Sequence, residues 1–182
     1  MEKTIAGQET ARVFFALWPS TAERKALAGW QAPLKKLCGG RAMRADTLHV
    51  TLVFMGEVSR RRLEALKLAA QEVRGGRFSL RLDAARYWGH NHIAYAAPTE
   101  VPELLLQLVS DLERSLRRHR FRFEQRRYKP HVTLLRNAYW NDTPLPAQPA
   151  VNWKVREFVL VHSLSDARGA RYEVLARFPL AE

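Results

Sequence analysis

The sequence predicts an α+β fold in two pseudo-symmetric lobes, mainly antiparallel sheet with outer helices and a central cleft. Three observations lead there. Long runs of period-2 alternation are mixed with three segments of helical spacing. A strand–helix–strand pattern occurs twice, over residues 13–52 and 93–134, and the last strand of each copy carries the tetrapeptide His-Val-Thr-Leu. A pattern repeated twice suits two lobes, whereas a solenoid needs at least three units. No Gly-, Ser- or Pro-rich linker divides the 182 residues, so residues 1–182 are expected to form one bilobal domain.

The elements follow in order. Residues 13–18 form a short apolar run stopped by Pro19, read as a buried strand. Ser20 and Glu23 make a capping-box signature for a helix carrying Leu27, Trp30, Leu34 and Leu37; Pro33 kinks it or ends it early, before Gly39-Gly40. Residues 48–55 alternate as a strand, with Leu48, Val50, Leu52 and Phe54 on one face and His49, Thr51, Val53 and Met55 on the other. Ser59 is placed as the cap of a second helix lined by Leu63, Leu66, Ala70 and Val73. Residues 78–88 and 93–97 read as two strands joined by a turn around Gly89.

Thr99 is placed as the cap of a third helix. Val101, Leu104, Leu105, Leu108, Leu112 and Leu116 are expected to face the core, and Asp111, Arg114, Arg117 and Arg118 to lie opposite. Residues 131–136 form the next strand, and 141–149, with three prolines, a loop. Residues 153–164 and 171–178 read as a hairpin.

Charge narrows the partners. The chain has 30 Lys and Arg against 18 Asp and Glu, a net +12, mostly from arginine. Arginine's planar fork matches phosphate oxygens, so the excess fits a polyanion; a solvated face is the plain alternative. Membrane-surface binding is less favoured, because no stretch resembles a basic amphipathic anchor. Cys38 is the single cysteine, which rules out a disulfide framework, fits a reducing cytoplasm and is expected to be inert. Residues 1–8 lack the apolar core of a signal peptide and no apolar run is long enough to span a bilayer, so a cytoplasmic location is expected. No nucleotide-binding glycine motif is present, which argues against ATP-driven ligation.

The informative feature is the tetrapeptide pair, His49-Val50-Thr51-Leu52 and His131-Val132-Thr133-Leu134. Within each, His and Thr project from one strand face while Val and Leu project from the other. If the halves pack about a pseudo-twofold axis, two imidazoles and two hydroxyls can line one cleft. Unperturbed imidazole titrates near neutrality, so one ring can accept a proton while the other donates one, and the hydroxyls can hold phosphate oxygens. Arg136 lies five residues after His131, an odd offset that points it differently on a straight strand, although its length could still reach a phosphate.

These paired motifs resemble those of the two-histidine phosphoesterases, most closely the RNA 2′,3′-cyclic phosphodiesterase family long labelled 2′-5′ RNA ligases. The resemblance covers nearly the whole chain: residues 12–16 are similar to the opening strand, 48–58 to the first motif, 130–136 to the second with its arginine, and Asn152-Trp153 with Glu157-Phe158 to the late strand. It implies a bilobal fold and hydrolysis of a 2′,3′-cyclic phosphate, on an RNA end or a cyclic nucleotide, to a 2′-phosphomonoester without metal or other cofactor. It also implies His49 as proton donor, His131 as proton acceptor, and Thr51, Thr133 and Arg136 as phosphate-binding. The pseudo-symmetric sequence is silent on which histidine is acid. A monomer is the expected state. Two alternatives stand beside this reading: the reverse reaction joining tRNA halves, and a non-catalytic module gripping RNA ends.

Other residues are weighed against plainer roles. His90 and His92 sit two apart, but without a carboxylate or cysteine at ligand spacing a polar turn is the default. His119 is expected to complement a helix dipole and His162 to belong to the sheet. Seven arginines between positions 114 and 127, interleaved with Phe121 and Phe123, could track RNA or form a rim around core rings. Tyr128, Trp88 and Trp153 are candidates for stacking on a terminal base.

Overall fold

The structure, a computed structural model, describes residues 9–182; the reading of residues 1–8 as lacking a signal-peptide core concerns a segment outside the described residues. The first strand, β1 (Thr10–Leu17), is interior to a sheet and is buried on both faces from Val13 to Leu17, because Val13, Phe15 and Leu17 pack in one core cluster and Phe14 and Ala16 in another. Its near-continuous apolar run follows from that position. Two short helices follow, α1 (Thr21–Ala28) and α2 (Gln31–Cys38), where one was expected. The break at Gly29 lets Trp30 turn inward, 1% exposed, with its indole N–H donating to the Pro149 carbonyl at 3.0 Å. Pro33 then falls in the first turn of α2, where a missing N–H costs nothing. Ser20 occupies the cap position of α1, but its side chain makes no cap hydrogen bond, so the capping box does not form.

A two-residue strand, β2 (Arg41–Ala42), precedes β3 (Val50–Ser59), and a 3₁₀ turn over Arg60–Arg62 leads to α3 (Leu63–Gln71). Ser59 precedes that turn without a side-chain cap bond. The segment expected as one strand over 78–88 is two, β4 (Phe78–Leu82) and β5 (Ala84–Trp88), divided at Asp83, whose carboxylate accepts the Thr99 backbone N–H at 2.8 Å. Thr99 does not cap the next helix. After β6 (Ile93–Ala97), α4 (Glu103–Arg118) starts behind Pro102 instead. Val101 and Leu104 consequently fall outside its buried stripe, at 38% and 41% exposed, while Leu105, Leu108, Leu112 and Leu116 are buried.

The chain ends through β7 (Val132–Arg136), β8 (Val151–Val155), β9 (Glu157–Asp166) and β10 (Gly169–Pro179). The expected strand over 153–164 is thus β8 and β9, divided at Arg156. Both divisions have one cause: β4 and β8 pair with each other in a two-stranded sheet, while their successors enter larger ones. One four-stranded sheet has the order β10-β9-β1-β3, the other β2-β7-β6-β5, and all described pairings are antiparallel apart from one isolated bridge.

One buried cluster runs through both sheets and the helices, including Phe15, Trp30, Leu66, Leu105 and Leu134. A smaller cluster lies on the other face of each sheet: Phe14, Ala16, Val159 and Val161 in the first, Ile93, Tyr95 and Ala97 in the second. These second faces border the site. Among the described residues no helix is long and apolar enough to cross a membrane.

Gly40 controls how closely β2 approaches β7. Its φ is +86°, and a Cβ there would meet the Arg136 carbonyl oxygen at 2.6 Å. Gly40→Ala is expected to destabilise the protein by roughly 1–3 kcal/mol through backbone strain and this clash. A urea titration at unchanged slope checks it; an unmoved midpoint would contradict the close approach.

Candidate active site

The two histidines are held alike. His49 and His131 each sit immediately before their strands, β3 and β7. His49 Nδ1 lies 2.7 Å from the Thr47 carbonyl oxygen, and His131 Nδ1 lies 2.8 Å from that of Lys129, in both cases two residues back. A carbonyl can only accept, so each neutral ring carries its proton on Nδ1 and leaves Nε2 as an acceptor. The Thr51 hydroxyl lies 3.1 Å from His49 Nε2 and can donate to it.

A β-bulge then redirects each strand at the same point of the tetrapeptide. In β3, Thr51 is opposite Ala16 and Val53 is opposite Phe15, so Leu52 has no partner. In β7, Thr133 is opposite Tyr95 and Leu135 is opposite Ala94, so Leu134 has none. The extra residue reverses the alternation. Leu134 and Leu135 are both buried in the core, and Arg136 returns to the face of Thr133. The odd offset noted in the sequence is therefore corrected by the bulge. In β3 the same shift sends Val53 and Met55 into the core and turns Phe54 to the site, opposite to the straight-strand expectation.

His49, Thr51, His131, Thr133 and Arg136 all line one cavity of about 730 Å³ between the four-stranded sheets. Arg136 makes no side-chain ion pair among the described residues, so its guanidinium is free for an anion. Around His49 stand Phe14 at 4.9 Å, Trp18 stacked at 5.8 Å and Tyr172 edge-on at 5.3 Å between ring centroids. Around His131 stand Trp88 at 4.6 Å and Tyr95 at 5.6 Å, both edge-on.

These rings decide the electrostatics. Desolvation pushes His49 down to about 4; its bond to the Thr47 carbonyl opposes this, and the charges of His131, Arg24 and Arg136 add to it. His131 is lowered for the same first reason, opposed by the Lys129 carbonyl and assisted by Arg126 and Arg136. Both imidazoles are therefore neutral near pH 7 in the free protein, not poised at the unperturbed value.

Several side chains at the site were not singled out from the sequence. Phe14 and Trp18 lie in a run readable only as buried strand, and Tyr172 arrives through the pairing of β10 with β9. Arg12 lines the cavity with its guanidinium 4.9 Å over the Phe54 ring. The basic run divides. On the helix, Arg114, Arg117 and Arg118 pair with Asp111, Glu113 and Glu72, whereas Arg126, paired with Glu124, and Arg127 line the cavity. Phe121 is core, with Arg62 over its ring at 3.9 Å.

Of the aromatic candidates, Trp88 lines the cavity beside His131, and Tyr128 lines it with its hydroxyl buried and, among the described residues, without a hydrogen-bond partner. Trp153 is only 4% exposed and belongs to the core. His90 borders the cavity, His119 Nε2 lies 3.0 Å from the Glu72 carboxylate, and His162 is buried in β9. Buried Cys38 has its thiol pushed up by desolvation. Among the described residues no three His, Cys, Asp or Glu side chains gather as a metal site.

Known proteins share this arrangement of sequence and fold. The sequence model of the LigT-like phosphoesterase family matches twice, over residues 17–95 and 96–172. The RNA 2′,3′-cyclic phosphodiesterase of Escherichia coli strain K12 is 37% identical over 177 residues, covering 96% of this chain and 99% of the relative. The crystal structure of E. coli LigT in apo form superposes with a TM-score of 0.85 at 32% identity, covering 96% of this chain and 99% of that one. Its complex with 3′-AMP gives 0.85 at 34% identity, covering 96% and 100%. By sequence over nearly all its length and by fold, this chain belongs to the LigT-like phosphoesterase family.

Proposed function

We propose that this chain hydrolyses a 2′,3′-cyclic phosphate at an RNA end to a 2′-phosphomonoester, with His49 as proton donor and His131 as proton acceptor. The observation that carries the reading is one cavity holding two imidazoles, each tethered through Nδ1, and a guanidinium with no ion-pair partner among the described residues. The relative named RNA 2′,3′-cyclic phosphodiesterase and the LigT complex with 3′-AMP support the substrate class. The assignment of donor and acceptor follows the family resemblance. The same reading takes residues 1–182 as a single bilobal domain, monomeric and cytoplasmic.

In this scheme His131 Nε2 takes a proton from water as the water oxygen bonds to phosphorus. The bond from phosphorus to O3′ breaks, and His49 Nε2 gives its proton to that oxygen. Thr51 and Thr133 hydroxyls and the Arg136 guanidinium hold the non-bridging oxygens, where charge builds in the transition state. His49 must be protonated to donate, and its burial opposes that. A bound phosphate anion reverses the local field and raises its pKa, so substrate binding and proton uptake are coupled.

His49→Ala and His131→Ala are each expected to lower kcat on a 2′,3′-cyclic nucleotide by about 10²–10⁴-fold, with wild-type activity unchanged by chelator. Wild-type rates in either variant would overturn the assignment. Arg136→Ala should cost about 10²-fold in kcat/KM, and Arg136→Lys should recover only part, because the fork is lost.

The pH profile has a definite sign. kcat/KM reports the free enzyme, in which both imidazoles are lowered. Its bell is expected to peak below pH 6.5, and the kcat bell to peak higher, because the bound anion raises both groups. The limbs belong to the coupled pair. A kcat/KM maximum above pH 7 would contradict the buried, depressed imidazoles.

A further inference from the structure

Like charges directly opposite each other on adjacent strands are unfavourable unless an anion lies between them. Arg41 on β2 is directly opposite Arg136 on β7 in antiparallel register. Opposed residues share a face, with Cα atoms about 5 Å apart, so Arg41 stands beside the arginine that enters the cavity. Both are exposed, and among the described residues neither makes a side-chain ion pair.

An exposed aromatic ring lies on the neighbouring backbone. Tyr139 is 67% exposed, more than any other exposed large apolar side chain among the described residues. Its backbone N–H donates to the Cys38 carbonyl at 2.8 Å, which ties it to the segment leading into Arg41. Its ring lies 4.4 Å from that of His92. His92 is itself held, with Nδ1 3.0 Å from the Tyr87 hydroxyl and its carbonyl accepting the Ala138 N–H at 3.0 Å. His92 and Asn137 have φ of 57° and 54°, a region that residues with side chains rarely occupy, so the backbone here is strained on both sides of the ring pair. Arg136 and Asn91 line the cavity; Arg41 is paired across the strands with the first and His92 follows the second in the chain.

A cation with no ion-pair partner among the described residues and an exposed aromatic pair on neighbouring backbone match what single-stranded nucleic acid requires: a charge for the backbone and a flat surface for a base. We propose that Arg41 with the Tyr139–His92 pair forms a second nucleotide subsite, for the nucleotide preceding the one that bears the cyclic phosphate. Arg41 meets the phosphodiester joining the two, and Tyr139 stacks on the penultimate base. The subsite rests on the RNA-end reading above and extends it from a mononucleotide to a chain.

The test compares a 2′,3′-cyclic mononucleotide with a dinucleotide ending in the same cyclic phosphate. Wild type should prefer the dinucleotide. Arg41→Ala and Tyr139→Ala should each lower kcat/KM on the dinucleotide by about 5–100-fold while leaving the mononucleotide within about twofold, which also shows that the variants fold. Tyr139→Phe should keep the preference. Arg41→Ala should make the log–log salt dependence on the dinucleotide shallower by about 0.7. No dinucleotide preference in wild type, or equal losses on both substrates, overturns the subsite alone. If wild type opens neither substrate, the RNA-end reading fails and the subsite with it.

Discussion

In both histidine-bearing strands the leucine that closes the His-Val-Thr-Leu tetrapeptide has no partner across the ladder, and the pleat resumes one residue late. The site depends on this shared irregularity. A straight β7 would bury either Leu134 or Leu135 and send Arg136 away from Thr133. With the bulge, both leucines fill the core and the guanidinium joins the histidine face. In the first lobe the same shift delivers Phe54, an aromatic ring, to the position that Arg136 occupies in the second. Backbone pseudo-symmetry therefore carries a chemical asymmetry: one lobe supplies the cation, the other a ring with Arg12 over it.

Opposing influences set the state of the imidazoles. Aromatic neighbours strip water from both rings and favour the neutral form, and the surrounding arginines push the same way. The carbonyl at each Nδ1 pulls towards the charged form but is outweighed. Such a cavity is strongly biased towards an anion, because an arriving negative charge relieves the repulsion among arginines and makes protonation of a histidine favourable. The two acidic side chains that line it do not cancel this bias, since Glu113 is already engaged by Arg117 and Glu124 by Arg126.

The arginine excess has two physical meanings within one segment. Along α4 the arginines meet carboxylates or lie over rings, as Arg117 lies 5.1 Å over Phe123, and they behave as a solvated rim. After the helix the chain leaves regular structure and passes along the cavity, where Arg126, Arg127 and Lys129 meet it. Arginine is frequent on both sides of His119; the path of the backbone differs.

By itself the sequence determined the α+β class, the two strands that follow the histidines, the duplicated histidine triplets and the pairing of His with Thr on one face. These are local facts, since the side-chain period of a strand relates residues two apart whatever lies beside it. Only the tertiary structure decided the division of residues 78–88 and 153–164 between sheets, the break at Gly29, the bulges that turn Arg136 inward, and the place of Tyr172 beside His49. It also decided that both imidazoles are depressed. The reason is the same throughout: register, bulging and desolvation are set by partners far away in the chain, such as Trp30 with Pro149 or β10 with β9, and no local pattern encodes those pairings.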